Sequence, residues 1–312
     1  VLGGTMGLSK TTGGLLELTN VNTYSGLTVV NAGTLLLSSG NDRLNTGGAL
    51  SLMGGTLDLG GNTQNTSGQV LIDGGTLNNG TLAFSTLSLD GRSGLVNAVL
   101  GGTMGLVKTS GGLLELTNAN TYSGLTVVSA GTLLLSSGND RLNTSGALSL
   151  LGGILDLGTN TQNTSGQVLI EGGTLNNGTL VFSTLSLDGR SGLVNAVLGG
   201  TMGLSKTTGG LLELTNANTY SGTTVVSAGT LLLSSGNDRL NTGGALSLFG
   251  GILNLGGNTQ NTSGQVLIDG GTLNNGTLVF STLALDGRSG LVNAVLGGTM
   301  GLSKTSGGLL EL

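Results

Sequence analysis

Two acid–base pairs are the first residues in this chain that could carry chemistry: Asp42–Arg43 in "GNDRLN" and Asp90–Arg92 in "LDGRSG". A carboxylate beside a guanidinium can act on a polysaccharide. Both pairs, however, return unchanged at 140–141 and 188–190, and again at 238–239 and 286–288. A single active site is not copied three times in near-identical surroundings, so the pairs read as solvated turns with local ion pairs, which contribute little. "GTMGLSKT" (4–11) approaches a phosphate-binding loop, but Ser9 and Val107 stand where the second glycine is required, and no helix can follow. "DGGTLNNG" (73–80) lacks the aspartate that a calcium-binding nonapeptide needs. The chain has no histidine and no cysteine, which removes the commonest general base, nucleophile and zinc ligands. The expectation is a protein that is not an enzyme, with no catalytic, cofactor-binding or metal-binding residues and no cofactor.

Composition narrows the field further. Charged residues are 8% of the 312, and the net charge is −5, which is no footprint for nucleic acid. No apolar run approaches the ~20 residues of a membrane helix, so this segment is not expected to span a membrane. Glycine is 63 of 312 and proline is absent, without the Gly-X-Y period of collagen. Leu, Val and Ile are too plentiful for a disordered chain.

The chain repeats. "VLGGTMGL" begins at Val1, Val99, Val197 and Val295, a period of 98 residues with 85 of 98 positions identical in the three full copies. The repeats are 1–98, 99–196 and 197–294, with a partial fourth at 295–312, and no linker divides them; 1–312 reads as one continuous solenoid cut from a longer repetitive protein. Within each repeat, "AGTLLL" (32–37), "GGTLDL" (54–59) and "GGTLNN" (74–79) recur about every 20 residues, the rhythm of stacked β-coils at about five rungs per repeat.

Aligning the rungs on Gly-Thr places Leu50 and Leu52 on Val70 and Ile72, and Leu57 and Leu59 on Leu35 and Leu37, as inward columns of pleated strands. Ser51 and Asp58 then point outward. "SSGNDRLNTGG" and "GGNTQNTSGQ" read as corners. Asn31, Met53 and Asp73 share a column that varies among the copies, the mark of an outside position. In it Met53, Leu151 and Phe249 put a large apolar side chain every 98 residues, and these three are the candidate lateral contact with another solenoid.

Leu8-Ser-Lys10, Gly13-Gly14-Leu15-Leu16-Glu17-Leu18, Asn22-Thr23-Tyr24-Ser25-Gly26, Thr28-Val29-Val30 and Gly33-Thr34-Leu35 resemble the autotransporter passenger-associated β-strand repeat. The resemblance covers about 30 residues of each 98 and returns at 106–133 and 204–231. It implies an all-β, right-handed parallel β-helix at or outside a bacterial cell surface. The expected function is structural: a stiff rod or fibre, part of an adhesin-like or filament protein. Its partners would be further copies of itself, end to end or side by side, or a glycan or cell-surface receptor held by the solenoid wall.

Overall fold

The computed structural model describes residues 1–312. They form strands, turns and bends without a helix, as the glycine and β-branched content requires. The chain divides into two compact units: Val1–Ser149 with Gly153–Gln162, and Leu150–Gly152 with Asn163–Leu312.

In the first unit the chain winds as a parallel β-solenoid. One face is built from Leu8–Lys10, Thr28–Val30, Leu50–Leu52 and the start of Val70–Asn78. Their registers, Leu8↔Thr28↔Leu50↔Val70, hold one residue over its counterpart in the next coil. A second face follows after a tight corner, with Leu16↔Leu35↔Leu57↔Leu77 stacked in the same way. Inward residues of both faces, among them Val30, Leu35, Leu57, Val70 and Leu77, are fully buried. The alternation read from the sequence is therefore the real one. Five coils separate Leu8 from its copy Leu106. In the fifth, the Gly-Thr column is continued by Gly94–Leu95, paired with Gly75–Thr76, and not by the "GGTMGL" at 101–106.

A third face carries that motif. Thr63–Thr66, Thr81–Phe84 and Val99–Gly102 pair in register, Gln64↔Leu82↔Leu100. The stretch "GGNTQNTSGQ" is thus not only a corner: its Thr63–Thr66 forms a strand. Polar residues can build this strand because alternate ones are inward and satisfied. Gln64 accepts the Leu44 N–H at 2.8 Å and donates to Leu44 O at 3.2 Å. Where the third face lacks a strand, a buried asparagine replaces it. Asn120 accepts the Leu100 N–H (2.7 Å) and donates to Arg141 O (2.7 Å), bridging the coils on either side. Buried backbone groups need such partners, and no buried side-chain nitrogen or oxygen lacks one.

The second unit repeats the pattern by itself. Leu204↔Thr224↔Leu246↔Val266 and Leu212↔Leu231↔Leu253↔Leu273 are its two inward columns. Val266–Phe280 runs unbroken through all three faces of one coil. Asn218 and Gln260 bridge coils as Asn120 and Gln64 do.

Close stacking leaves no room at certain corners. A Cβ on Gly105 would lie 2.0 Å from Leu125 O, so only glycine fits there. Gly105→Val is expected to unfold the coils around it. Leu133→Ala, deep in the inward column, is expected to cost about 2–5 kcal/mol by cavity formation, measured by chemical denaturation; a cost below 1 kcal/mol would mean a loosely packed interior.

Candidate functional site

The ion pairs between side chains are gathered at one corner, between the first and second faces. Arg92 Nε meets Asp90 at 2.9 Å and Arg92 Nη1 lies 3.7 Å from Asp73 in the next coil. Thr109 donates to the other oxygen of Asp90 (2.7 Å) and Ser93 to Asp73 (2.9 Å). The corner recurs as Arg190 with Asp188 and Glu171, and as Arg288 with Asp286 and Asp269. These carboxylates are engaged with guanidinium and hydroxyl donors, and the Thr305 hydroxyl and Arg288 guanidinium hold the Asp286 carboxyl below its usual range. The other pair expected from the sequence, Asp42–Arg43, does not form. Arg43 turns back to donate to Ser38 O (2.9 Å) and Ser39 O, while Asp42 accepts both the N–H and the side-chain amide of Asn65. The chain turns here and does not run extended, with Asp42 in left-handed backbone (φ 55°), and each side chain takes partners of its own.

Sequence reasoning missed three buried cations. Lys10, Lys108 and Lys206 end first-face strands at inward positions, and Lys108 and Lys206 are 0% exposed. Their ammonium groups meet no carboxylate. Lys108 Nζ donates to Ser110 O and to Ala130 O (3.2 Å), and Lys206 to Thr208 O and Ala228 O (3.2 Å). Each lysine ties its own corner to the corner of the following coil. Burial lowers the Lys108 pKa, partly offset by Asp90 and Asp73. The signal was present in the sequence, since each lysine falls on the inward phase of Leu-X-Lys.

Met53, Leu151 and Phe249 lie where the alternation put them, outside, at 43%, 44% and 47% exposure. They stand on the same corner as the Arg–Asp clusters, because Met53 follows the inward Leu52 as Asp73 follows Ile72. They are not alone: Leu87, Leu185 and Leu283 form a second half-exposed apolar set.

The third face ends in a column that the sequence reading passed over. In the first unit it runs Ser25, Thr46, Ser67, Ser85, Thr103 and Ser123, one exposed hydroxyl residue per coil. Ser67 Oγ donates to Thr46 O (3.2 Å), Thr103 Oγ1 to Ser85 O (3.3 Å) and Ser123 Oγ to Thr103 O (3.5 Å). The second unit has Ser183, Thr201, Ser221, Thr242, Ser263 and Ser281 in the same role, with Thr201 and Ser263 donating along the column at 3.4 and 3.2 Å. In the first unit a shallow groove of about 290 Å³ borders this column, lined by Thr46, Asn65, Ser67, Ala83, Ser85 and Thr103. Its lining is uncharged and offers hydroxyls, one amide and a small apolar floor. The groove can exchange hydrogen bonds with a neutral polar ligand, and it presents no group for acid–base chemistry.

Such a wall, periodic and sparsely charged, defines a repeat-built β-solenoid module. Residues 8–37, 106–135 and 204–233 match the model of the passenger-associated-transport-repeat, so the chain carries three autotransporter passenger repeats. Over 88 residues the chain is 40% identical to the "Adhesin BmaC autotransporter" of Brucella suis biovar 1 (strain 1330). That match covers 28% of this chain and 2% of the adhesin, so the chain spans a small fraction of its relative's length. No solved structure matches.

Three outcomes follow from this geometry. Lys108→Met is expected to cost about 1–3 kcal/mol, because the carbonyls it serves lose their donor; an unchanged denaturation midpoint would remove the lysine from the stabilising set. Phe249→Asp is expected to leave stability within about 0.5 kcal/mol, since the side chain is half in solvent. Tyr122 and Tyr220 are buried, each bonded to a threonine hydroxyl, at 2.7 and 2.6 Å. Burial raises both pKa values above the usual 10.0. The folded state therefore holds the phenol protons more tightly than the unfolded one, and that stability is present below pH 10 and lost above it. In an alkaline titration, phenolate absorbance from these two should appear only together with loss of the β circular-dichroism signal. Ionisation at the ordinary tyrosine pKa with the fold intact would contradict the burial.

Proposed function

We propose that this chain is a stretch of the surface-exposed passenger of an adhesin of the autotransporter type, and that its work is structural: an extended, non-catalytic spacer that carries or lines up the parts that bind. The observation that carries this reading is the faithful return of the passenger repeat at 98-residue intervals. A wall copied three times supplies length and stiffness, whereas a site needs one distinct place. The match to a Brucella adhesin supports the surface location and the adhesive context. Association of copies side by side belongs to the same proposal, with Met53, Leu151 and Phe249 as its contact: each offers a half-exposed apolar side chain.

A second reading is favoured by one observation, the hydroxyl- and amide-lined groove of the third face. There the wall itself would hold a neutral glycan. The two readings separate on one experiment. Excising residues 99–196 joins identical sequence to identical sequence and removes one repeat, about 24 Å at ~4.8 Å per coil. For a spacer, electron microscopy of the displayed protein is expected to show particles shortened by that amount, with cell adhesion reduced only as reach is reduced. Loss of glycan binding in proportion to the repeats removed, on the isolated chain, would instead make the wall the adhesive surface. Replacing Met53, Leu151 and Phe249 by Asp should disperse lateral bundles without unfolding the chain; bundles that persist would exclude this column as the contact.

A further inference from the structure

Three Asn-Gly dipeptides occur in the chain, Asn79–Gly80, Asn177–Gly178 and Asn275–Gly276, all at the same place in the repeat. The fold keeps them there. A Cβ on Gly80 would lie 2.2 Å from Asn62 O, and one on Gly276 2.4 Å from Asn258 O, so the residues after Asn79 and Asn275 have to stay glycine. The three asparagines adopt left-handed backbone, with φ of 47°, 56° and 51°, and are exposed. An asparagine followed by glycine is the arrangement in which the next backbone nitrogen most easily reaches the side-chain amide carbon, because no side chain shields it.

What differs between copies is the group across from the amide. Asn79 Nδ2 donates to both oxygens of Asp58, at 3.0 Å each. In the third copy that position is Asn254, and Asn275 Nδ2 faces its Oδ1 at 3.4 Å. The exchange of Asp for Asn is one of the few differences between copies. At both sites the oxygen also accepts a backbone N–H, from Gly60 or Gly256, so the neighbouring turn is the same.

We propose that this corner is a site of spontaneous self-modification, conversion of the asparagine amide to an acid, and that the facing residue sets its rate: Asp58 protects Asn79, while Asn254 leaves Asn275 free to react. Hydroxide or another base removes the Gly80 N–H proton. The nitrogen attacks Asn79 Cγ, the new N–Cγ bond forms, the Cγ–Nδ2 bond breaks, and ammonia leaves with a proton. Water then opens the cyclic imide at either carbonyl, giving aspartate or isoaspartate. Negative charge builds on the attacking nitrogen and then on the tetrahedral oxygen. A carboxylate 3.0 Å from the amide opposes that charge, and by accepting the amide hydrogens it makes Cγ less electrophilic. A neutral amide carries no such charge, and Asn254 accepts only a single, longer bond at 3.4 Å. The product reinforces the difference: a carboxylate at 79 would face Asp58, like charge on like charge, whereas one at 275 faces an amide.

The test uses the full chain, incubated folded at mildly alkaline pH, with peptide mass spectrometry separating amide, aspartate and isoaspartate at each site. The backbone at the two corners also differs, since Asn275 O accepts the Gly257 N–H at 3.0 Å. Reciprocal swaps therefore decide the matter. Asp58→Asn is expected to accelerate conversion at Asn79 about fivefold, or ~1 kcal/mol at 1.36 kcal/mol per tenfold. Asn254→Asp is expected to slow Asn275 by a similar factor. Asn177 serves as internal standard and should not change. In denaturant the three sites should convert at one rate. An unchanged or slower Asn79 in folded Asp58→Asn would overturn the proposal. Should Asp58→Asn loosen the fold, Asn254→Asp still decides, because an added carboxylate has to slow the site while loosening would speed it.

Discussion

Every feature of this molecule depends on the parallel backbone hydrogen bonds that hold one coil over the next in fixed register. They set a residue above its counterpart about 4.8 Å away. Anything repeated in sequence at the coil period becomes a column in space. Leu8↔Thr28↔Leu50↔Val70 is such a column. So is the hydroxyl series of the third face, though its members are separated by 18 to 21 residues and share no motif. The same bonds make columns of like charge costly. Charge is accordingly scarce, and at one corner it alternates, as Asp73–Arg92–Asp90.

The polar interior has the same origin. A coil whose third face is not a strand leaves its neighbours' backbone groups without partners, and burial of such a group is expensive. Asn120 and Gln64 fill those gaps with side-chain amides that imitate a strand. Lys108 does the equivalent at a corner, its ammonium donating to carbonyls of two successive coils. The passenger repeat's lysine and asparagine are thereby explained as parts of the wall's internal bonding, independent of any ligand. What remains for contact with other molecules is the outer surface: its half-exposed apolar residues, and the neutral hydroxyl column with its groove.

The inward and outward columns of the first two faces could be read directly from the chain. Alternating Leu, Val and Ile have few ways to be buried, so the Gly-Thr alignment found Leu50 over Val70 and Leu35 over Leu57 without coordinates. The outward position of Met53, Leu151 and Phe249 was legible for the same reason, helped by variation among copies. The third face was not. Thr63–Thr66 and the turns around it are rich in Thr, Asn and Gly, and composition alone reads them as corners. The rungs differ in length, from 17 to 22 residues, so no constant period marks the hydroxyl column. Lysine burial ran against the ordinary rule that charge stays in water, although Leu-X-Lys carries the right phase.

By itself, then, the sequence determined the fold class, the repeat, the inner columns of two faces and the absence of histidine and cysteine chemistry, because local alternation and composition decide these. Tertiary structure alone decided that Asp42 and Arg43 part company, that one hydroxyl per coil forms an exposed line within each unit, and that Asn79 meets Asp58 while Asn275 meets Asn254. Each of these is a relation between residues that only the turns and the stacking of coils bring together. Only the stacking register, which is a property of the folded chain, fixes which of them meet.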